Sequence, residues 1–365
     1  MIYLDHGATS FPKPLSVRRA VQDALIRCAN PGRGSHPAAM AAARVVYDCR
    51  DAAAKLFHCQ PEQVVLTSNC THGLNIAIRM LVKPGDRVLI SGFEHNAVVR
   101  PLYALGAKIT VAGRRLFDWE DTLENFEQGL RTAPKVAVFT HVSNVFGYIL
   151  PLEEMVALCR QYGVPVIVDA AQSAGSMELN FDRLGVDFVA MPGHKGLLGP
   201  QGTGVLLCGR GGDPLVFGGT GSDSIRREMP DYLPERLEAG TVNVPGIAGL
   251  AAGLRYVSHI GVDVIGARER TQAAKLVKGL QKLGLTVYSG PDQSGTVSFV
   301  PRGDCEELGE KLAQRGIAVR AGLHCAPLAH ESAGTLDTGT VRISFGHDAS
   351  AVQTQAILKE MAALS

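Results

Sequence analysis

The stretch VPVIVDAAQSAGSMELNFDRLGVDFVAMPGHKGLLGPQGTGVLLC, residues 164–208, decides the fold. It contains three short aliphatic runs, 164–171, 188–193 and 203–208, with room for one helical segment between the first two. Runs that stay apolar without alternating read as strands buried on both faces. Upstream the same grammar repeats in VVLTS (64–68), RVLISG (87–92), KITVAG (108–113) and KVAVFTH (135–141), with helical stretches between them. The clearest helix is LEEMVALCRQYG (152–163), whose closing Gly163 suits a C-cap before the next strand. Strands alternating with helices predict an α/β domain with a mostly parallel, seven-stranded sheet between helices.

Past residue 245 the pattern changes. A long helix is predicted around 263–283, strands near 285–300, a helix at 305–315, strands near 317–322 and 340–346, and a terminal helix from 349. This reads as a smaller C-terminal α+β domain. The expected division is a large domain over 16–245 and a small one built from 1–15 and 246–365. Residues 209–235, rich in Gly and Pro and without a period, read as an ordered functional loop or an interface arm.

The chain of 365 residues has 36 Lys and Arg against 35 Asp and Glu, a net charge of +1, so no bulk field favours nucleic acid or an anionic membrane. No apolar run approaches a membrane span, and the start, MIYLDHGATS, lacks the ramp of a signal peptide, so the expectation is a cytoplasmic protein. The 41 glycines exceed the usual share of roughly 7% and ask for tight backbone somewhere. The eight cysteines form no CxxC pair, which argues against a zinc or disulfide framework; no metal site is expected.

Three features carry chemistry. Lys195 follows a strand in MPGHKGLLGP, where a buried amine is costly unless neutralised or bonded, as in a Schiff base to an aldehyde cofactor; a surface loop Lys is the plain alternative. Asp169 ends an apolar strand, where a carboxylate needs a cation such as a protonated pyridine nitrogen, or else caps a helix. TSNCTHGLN (67–75) runs from a strand into a helix whose free amides, with the Thr71 hydroxyl, suit a phosphate, as any N-cap would in part. In this order along one chain the three are far more specific than any one alone.

On these residues the chain resembles the fold-type I pyridoxal-phosphate enzymes of the class V aminotransferase superfamily, and within it the cysteine desulfurases, from YLDHGAT (3–9) to TVRISFG (340–346). The resemblance implies that Lys195 forms the Schiff base with pyridoxal 5'-phosphate, that Asp169 holds its ring nitrogen, and that Gln172 in DAAQ bonds its ring oxygen. It makes His95 in EHNAVVRP the ring-stacking histidine and Cys70, Thr71 and His194 the phosphate site. Thr241 in RLEAGTVNVPG would reach the phosphate of a neighbouring copy, which implies a homodimer. Asn144 in HVSNVFG and Arg342 in TVRISFG would bind substrate, Arg342 as the fork for an α-carboxylate.

AVRAGLHCAP (318–327) is similar to the R-x-G-x-H-C-A signature of the SUF-type, or group II, desulfurases, with Arg320 near the substrate, His324 beside the nucleophile, and Cys325 the thiolate that accepts sulfur. The implied reaction turns L-cysteine into L-alanine and a Cys325 persulfide for an acceptor protein, as in iron–sulfur cluster assembly. Selenocysteine lyase, cysteine-sulfinate lyase and ordinary class V transamination are the alternatives, separated by whether Cys325 is needed. His95 and His324 are candidate proton carriers, with the neutral-range pKa of ordinary imidazoles expected. The chain departs from the family pattern in Pro192 before the GHK motif, in Asn69 and Cys70 of the phosphate loop, in His72, and in a short segment between Gly219 and Arg236.

Overall fold

Residues 1–32 and 34–364 are described by a computed structural model of the chain. Strand β1 (Ile2–Tyr3) is followed by helices α1 (Leu15–Arg27) and α2 (Pro37–Phe57). The large unit then runs β2 (Val64–Thr67), α3 (Cys70–Leu81), β3 (Arg87–Ser91), α4 (Asn96–Ala104), β4 (Lys108–Ala112), α5 (Trp119–Leu130), β5 (Val136–Thr140), α6 (Leu152–Gln161), β6 (Val166–Asp169), the single turn α7 (Phe181–Leu184), β7 (Phe188–Pro192) and β8 (Gly204–Cys208). Its seven strands are ordered β2-β8-β7-β6-β5-β3-β4, with only β8 antiparallel to its neighbours. This is the sheet expected, and Gly163 takes φ 65° just past α6, the left-handed stop that glycine accepts without strain.

The period of two explains why the strands look uniformly apolar. Leu89, Ala137, Phe139, Val168, Val189 and Leu207 enter the core on one face, with α2, α5, α6 and residues of the helix that starts at 244. Their neighbours Val88, Ile90, Val136, Val138, Ile167 and Leu206 enter a second core under α3 and α4. Each buried Val, Leu, Ile or Phe among them contributes about 1.5–3 kcal/mol, and both faces are closed to water.

After the irregular segment 209–234 come α8 (Val244–Ile260) and α9 (Val262–Lys282). The smaller unit continues with β9 (Thr286–Tyr288), β10 (Thr296–Val300), α10 (Cys305–Gln314), β11 (Ile317–Ala318), β12 (Arg320–Gly322), α11 (Pro327–Ala333), β13 (Thr340–Ser344) and α12 (Ala351–Leu364). Its antiparallel sheet is ordered β12-β13-β10-β9, while β1 pairs with β11 and Leu4 enters the small core. The boundary expected at 245/246 falls inside α8. Ile247, Leu250, Ala251 and Leu254 of that helix pack into the large core, and the small core gathers from Ala273 onward. Among the described residues no helix is long and apolar enough to cross a membrane.

Candidate active site

Strands β3, β5, β6 and β7 run parallel, so their carboxyl ends share one edge of the sheet, where ligands of open α/β sheets bind. His95 follows β3, Asn144 follows β5, Asp169 ends β6 and Lys195 lies three residues past β7. Asp169 is buried, and its Oδ1 accepts from the Ala171 amide (2.9 Å) and the Cys70 thiol (3.4 Å). Those two donors are modest compensation for a dry carboxylate, which is left wanting a cation. Burial pulls the Lys195 amine below the usual lysine range, while Asp169 opposes the shift and Arg342 adds to it.

His95 caps α4, its Nδ1 accepting from the Ala97 amide (3.0 Å), so the proton of the neutral ring sits on Nε2. Burial, with Lys195 and Arg342 nearby, pushes its pKa down to about 4 against the pull of Asp169. His324, whose Nε2 meets Thr340 Oγ1 at 3.1 Å, is pushed down to about 2 by burial, with Arg342 and His330 adding. The neutral-range titration expected of both rings is therefore corrected, because burial penalises the charged imidazole and nearby cations add to it, outweighing Asp169 at His95.

Arg342, in β13, is buried; its Nη2 donates to Asp5 Oδ1 (2.8 Å) and its Nη1 to the Asn144 carbonyl (3.0 Å), while Nε has no partner. Asn144 donates its Nδ2 to the His324 carbonyl (2.8 Å) and leaves a buried Oδ1 unpaired. Arg320, its side chain half-exposed, donates Nε and Nη2 to Asp5 Oδ2 (3.1 and 3.0 Å). Past β12 the chain bends through Gly322 (φ 100°), His324 (φ 51°) and Cys325 (φ 56°). Left-handed backbone at two side-chain-bearing residues is costly, and cross-links hold it: the Cys325 carbonyl accepts from the Asn96 amide (2.8 Å). Cys325 is the one exposed cysteine among the described residues.

At the phosphate elements, Asn69 caps α3 through the His72 amide (2.8 Å), leaving the amides of Cys70 and Thr71 in the first turn without an intrahelical partner. The His194 carbonyl is held by Lys13, Ser10 and Thr9, and its ring Nδ1 is buried and unpaired. Gln172 donates to the Gly7 carbonyl (3.1 Å). Thr241 is exposed, in the wall of a cavity shared with Ser68 and His72. Among the described residues no cluster of His, Cys, Asp or Glu could hold a metal ion.

Two residues escaped the sequence reading. Asp5 holds both arginines. Glu94 is fully buried beneath the site, its Oε1 accepting from the Ser91 hydroxyl and the Thr140 amide (2.9 Å) and its Oε2 unpaired, and its pKa is raised to about 8. The signal for both was an acidic residue inside an otherwise apolar segment, YLDH and FEHN.

The profile of the "Aminotransferase class-V" family matches residues 2–357. The chain belongs to the class-V aminotransferase family. It is 35% identical to the probable cysteine desulfurase of Pyrococcus abyssi, over 94% of this chain and 89% of the relative, and 31% identical to that of Methanothermobacter thermautotrophicus, with the same coverage. Among solved structures, the apo cysteine desulfurase of Thermococcus onnurineus NA1 superposes with a TM-score of 0.91 at 32% identity, over 100% of this chain and 94% of that one. Pyridoxal phosphate is the cofactor of this family. The residues present fit it: a buried carboxylate short of a cation at Asp169, a lysine of lowered proton affinity facing it, and two unpaired amides at the positive end of α3.

Proposed function

We propose that the protein is a cysteine desulfurase of the SUF-type branch, taking sulfur from L-cysteine onto Cys325. The observation that carries this reading is the seating of the Cys325 loop. The loop comes from the small unit, yet its backbone is bonded to Asn96 beside His95 and to Asn144, on the sheet edge that also carries Asp169 and Lys195, and its Cys325 is exposed. In this reading Asp169, Gln172 and His95 would hold the pyridine ring, and Cys70, Thr71 and His194 the phosphate. Bound at Lys195, pyridoxal phosphate supplies a sink for the electron pair that develops at the substrate Cα.

The chain's own groups do the rest. Arg342 and Asn144 fix the α-carboxylate, which sets the Cα–H bond against the Lys195 amine. Because burial lowers its proton affinity, that amine is available as the base. The Cys325 thiolate forms a sulfur–sulfur bond as the substrate's carbon–sulfur bond breaks; the bonding pair stays with carbon, which takes a proton and leaves as alanine. The exposed persulfide is then open to an acceptor protein. The active unit in this proposal is a homodimer in which Thr241 serves the partner's phosphate site. Supporting it, Thr241 lies just past an arm that presents Phe217 and Ile225 to solvent.

The test is alanine formation from L-cysteine and from L-selenocysteine by wild type and Cys325→Ser. The variant should keep the cofactor absorbance, lose at least a hundredfold in alanine from cysteine, and retain most of its turnover of selenocysteine. Wild-type desulfuration by the serine variant would refute the reading.

A further inference from the structure

Arg320 and Arg342 are register partners across β12 and β13, so their side chains leave the same face of the small sheet. Two guanidinium groups directly opposite each other repel, and Arg342 is buried, where an unpaired charge is costlier still. Asp5 resolves both problems with one carboxylate, Oδ1 to Arg342 and Oδ2 to Arg320. Its backbone is pinned on either side: Leu4 donates to Ala318 (2.9 Å) and accepts from Ser344 (2.8 Å), and His6 donates to Ser344 (3.3 Å). Asp5 is therefore fixed between the strand that carries the carboxylate fork and the strand that leads into the Cys325 loop.

We propose that Asp5 is a positioning residue that couples the two, holding Arg342 and Arg320 together until the substrate's carboxylate takes its share of Arg342. This rests on the reading above, in which Arg342 receives that carboxylate and Cys325 the sulfur. Nη2 gives one N–H to Asp5 and Nη1 one to the Asn144 carbonyl, while Nε is unpaired and each Nη keeps a second N–H; a carboxylate seated on Nε and Nη2 would share Nη2 with Asp5 and so compete with it. The backbone of Gly7 packs closely on the guanidinium, where a Cβ would come within 3.2 Å of the Arg342 guanidinium carbon, so a side chain at position 7 would press on the fork. As the substrate draws Arg342 away, the Asp5 charge falls more fully on Arg320, at the start of the strand that leads into the Cys325 loop.

The experiment uses the holoenzyme. Asp5→Asn keeps the shape and removes the competitor, so KM for L-cysteine should fall at least threefold while kcat also falls, and L-alanine should raise the melting temperature more than it does in wild type. Arg320→Gln leaves Asp5 to Arg342 alone, so KM should rise. In the Asp5→Asn background the same Arg320→Gln change should leave KM unmoved. A second readout is alkylation of Cys325 by iodoacetamide, followed by peptide mass. L-alanine should change its rate at least twofold in wild type and not in Arg320→Gln; a change that persists there is steric and overturns the coupling. Unchanged or raised KM in Asp5→Asn overturns it as well, and if that variant does not fold, the alkylation result decides. Arg342→Lys separates the underlying reading: an unchanged KM there means that Arg342 is not the carboxylate fork, whatever Asp5 does.

Discussion

Replacing Glu94 by Gln tests the electrostatics beneath the site. Burial raises the Glu94 carboxyl from the usual 4.5 to about 8, with the neighbouring Asp169 charge adding and the bonds from Ser91 and Thr140 opposing. The folded protein thus keeps a proton that the unfolded chain gives up. Stability from this group is complete below pH 4.5 and is lost as pH rises toward 8, at about 1.4 kcal/mol per pH unit. At pH 7 the cost to wild type is about 3 kcal/mol, and above pH 8 it levels off at about 4–5 kcal/mol. Glutamine keeps the acceptor for Ser91 and Thr140, puts an amide nitrogen where Oε2 already lacks a partner, and cannot ionise. Expected is a variant matched to wild type near pH 4 and increasingly more stable toward pH 8.5, because groups that do not interact with Glu94 cancel in the difference. Urea unfolding midpoints at half-unit pH steps measure it. A difference that stays flat from pH 4 to 8.5 would mean that Glu94 titrates as an exposed carboxyl, and the picture of a dry site floor would be wrong.

Borohydride reduction of the purified holoenzyme followed by peptide mapping should place the cofactor on Lys195; a label on another lysine refutes the assignment. His95 and His194 are held at about 4 and His324 at about 2, so all three rings are neutral from pH 5.5 to 7.5. The kcat/KM profile should carry no ionisation near 6.5 from these rings, and a break there that His95→Asn or His324→Asn removes contradicts the pKa shifts. Thr241→Ala should weaken cofactor retention severalfold in equilibrium dialysis while the protein sediments as a dimer; a fully active monomer would refute the shared site.

The strands were legible because a sheet covered on both faces leaves continuous apolar runs, and Lys195 and Asp169 stood out because polar groups at the ends of such runs need a reason. What stayed hidden depends on distance along the chain. Asp5 and Arg342 are 337 residues apart, and no local pattern says that one holds the other. The allegiance of α8 was unreadable for a similar cause: its small, apolar sequence suits either core, and only the position of α1 and α2 draws it to the large one. The histidine shifts need burial and neighbouring cations together, and neither is a property of the local sequence.

Desolvation sorts the charges of the site into two sets. Groups whose burial outweighs any opposite charge nearby stay neutral there: Glu94 holds its proton, and His95, despite Asp169, and His324 give theirs up. Asp169 lies within electrostatic reach of Lys195, and Asp5 bonds Arg342 and Arg320. An amino acid arrives with one charge of each sign. Both meet the second set: its carboxylate at Arg342, where it competes with Asp5, and its amine at Lys195. Both exchanges replace one charge pair by another instead of creating an unpaired charge in a dry space, so binding avoids the penalty of several kcal/mol that an isolated buried ion carries. The same logic explains why a neutral His95 suits the site, since a charged ring would have to share Asp169 with the Lys195 amine.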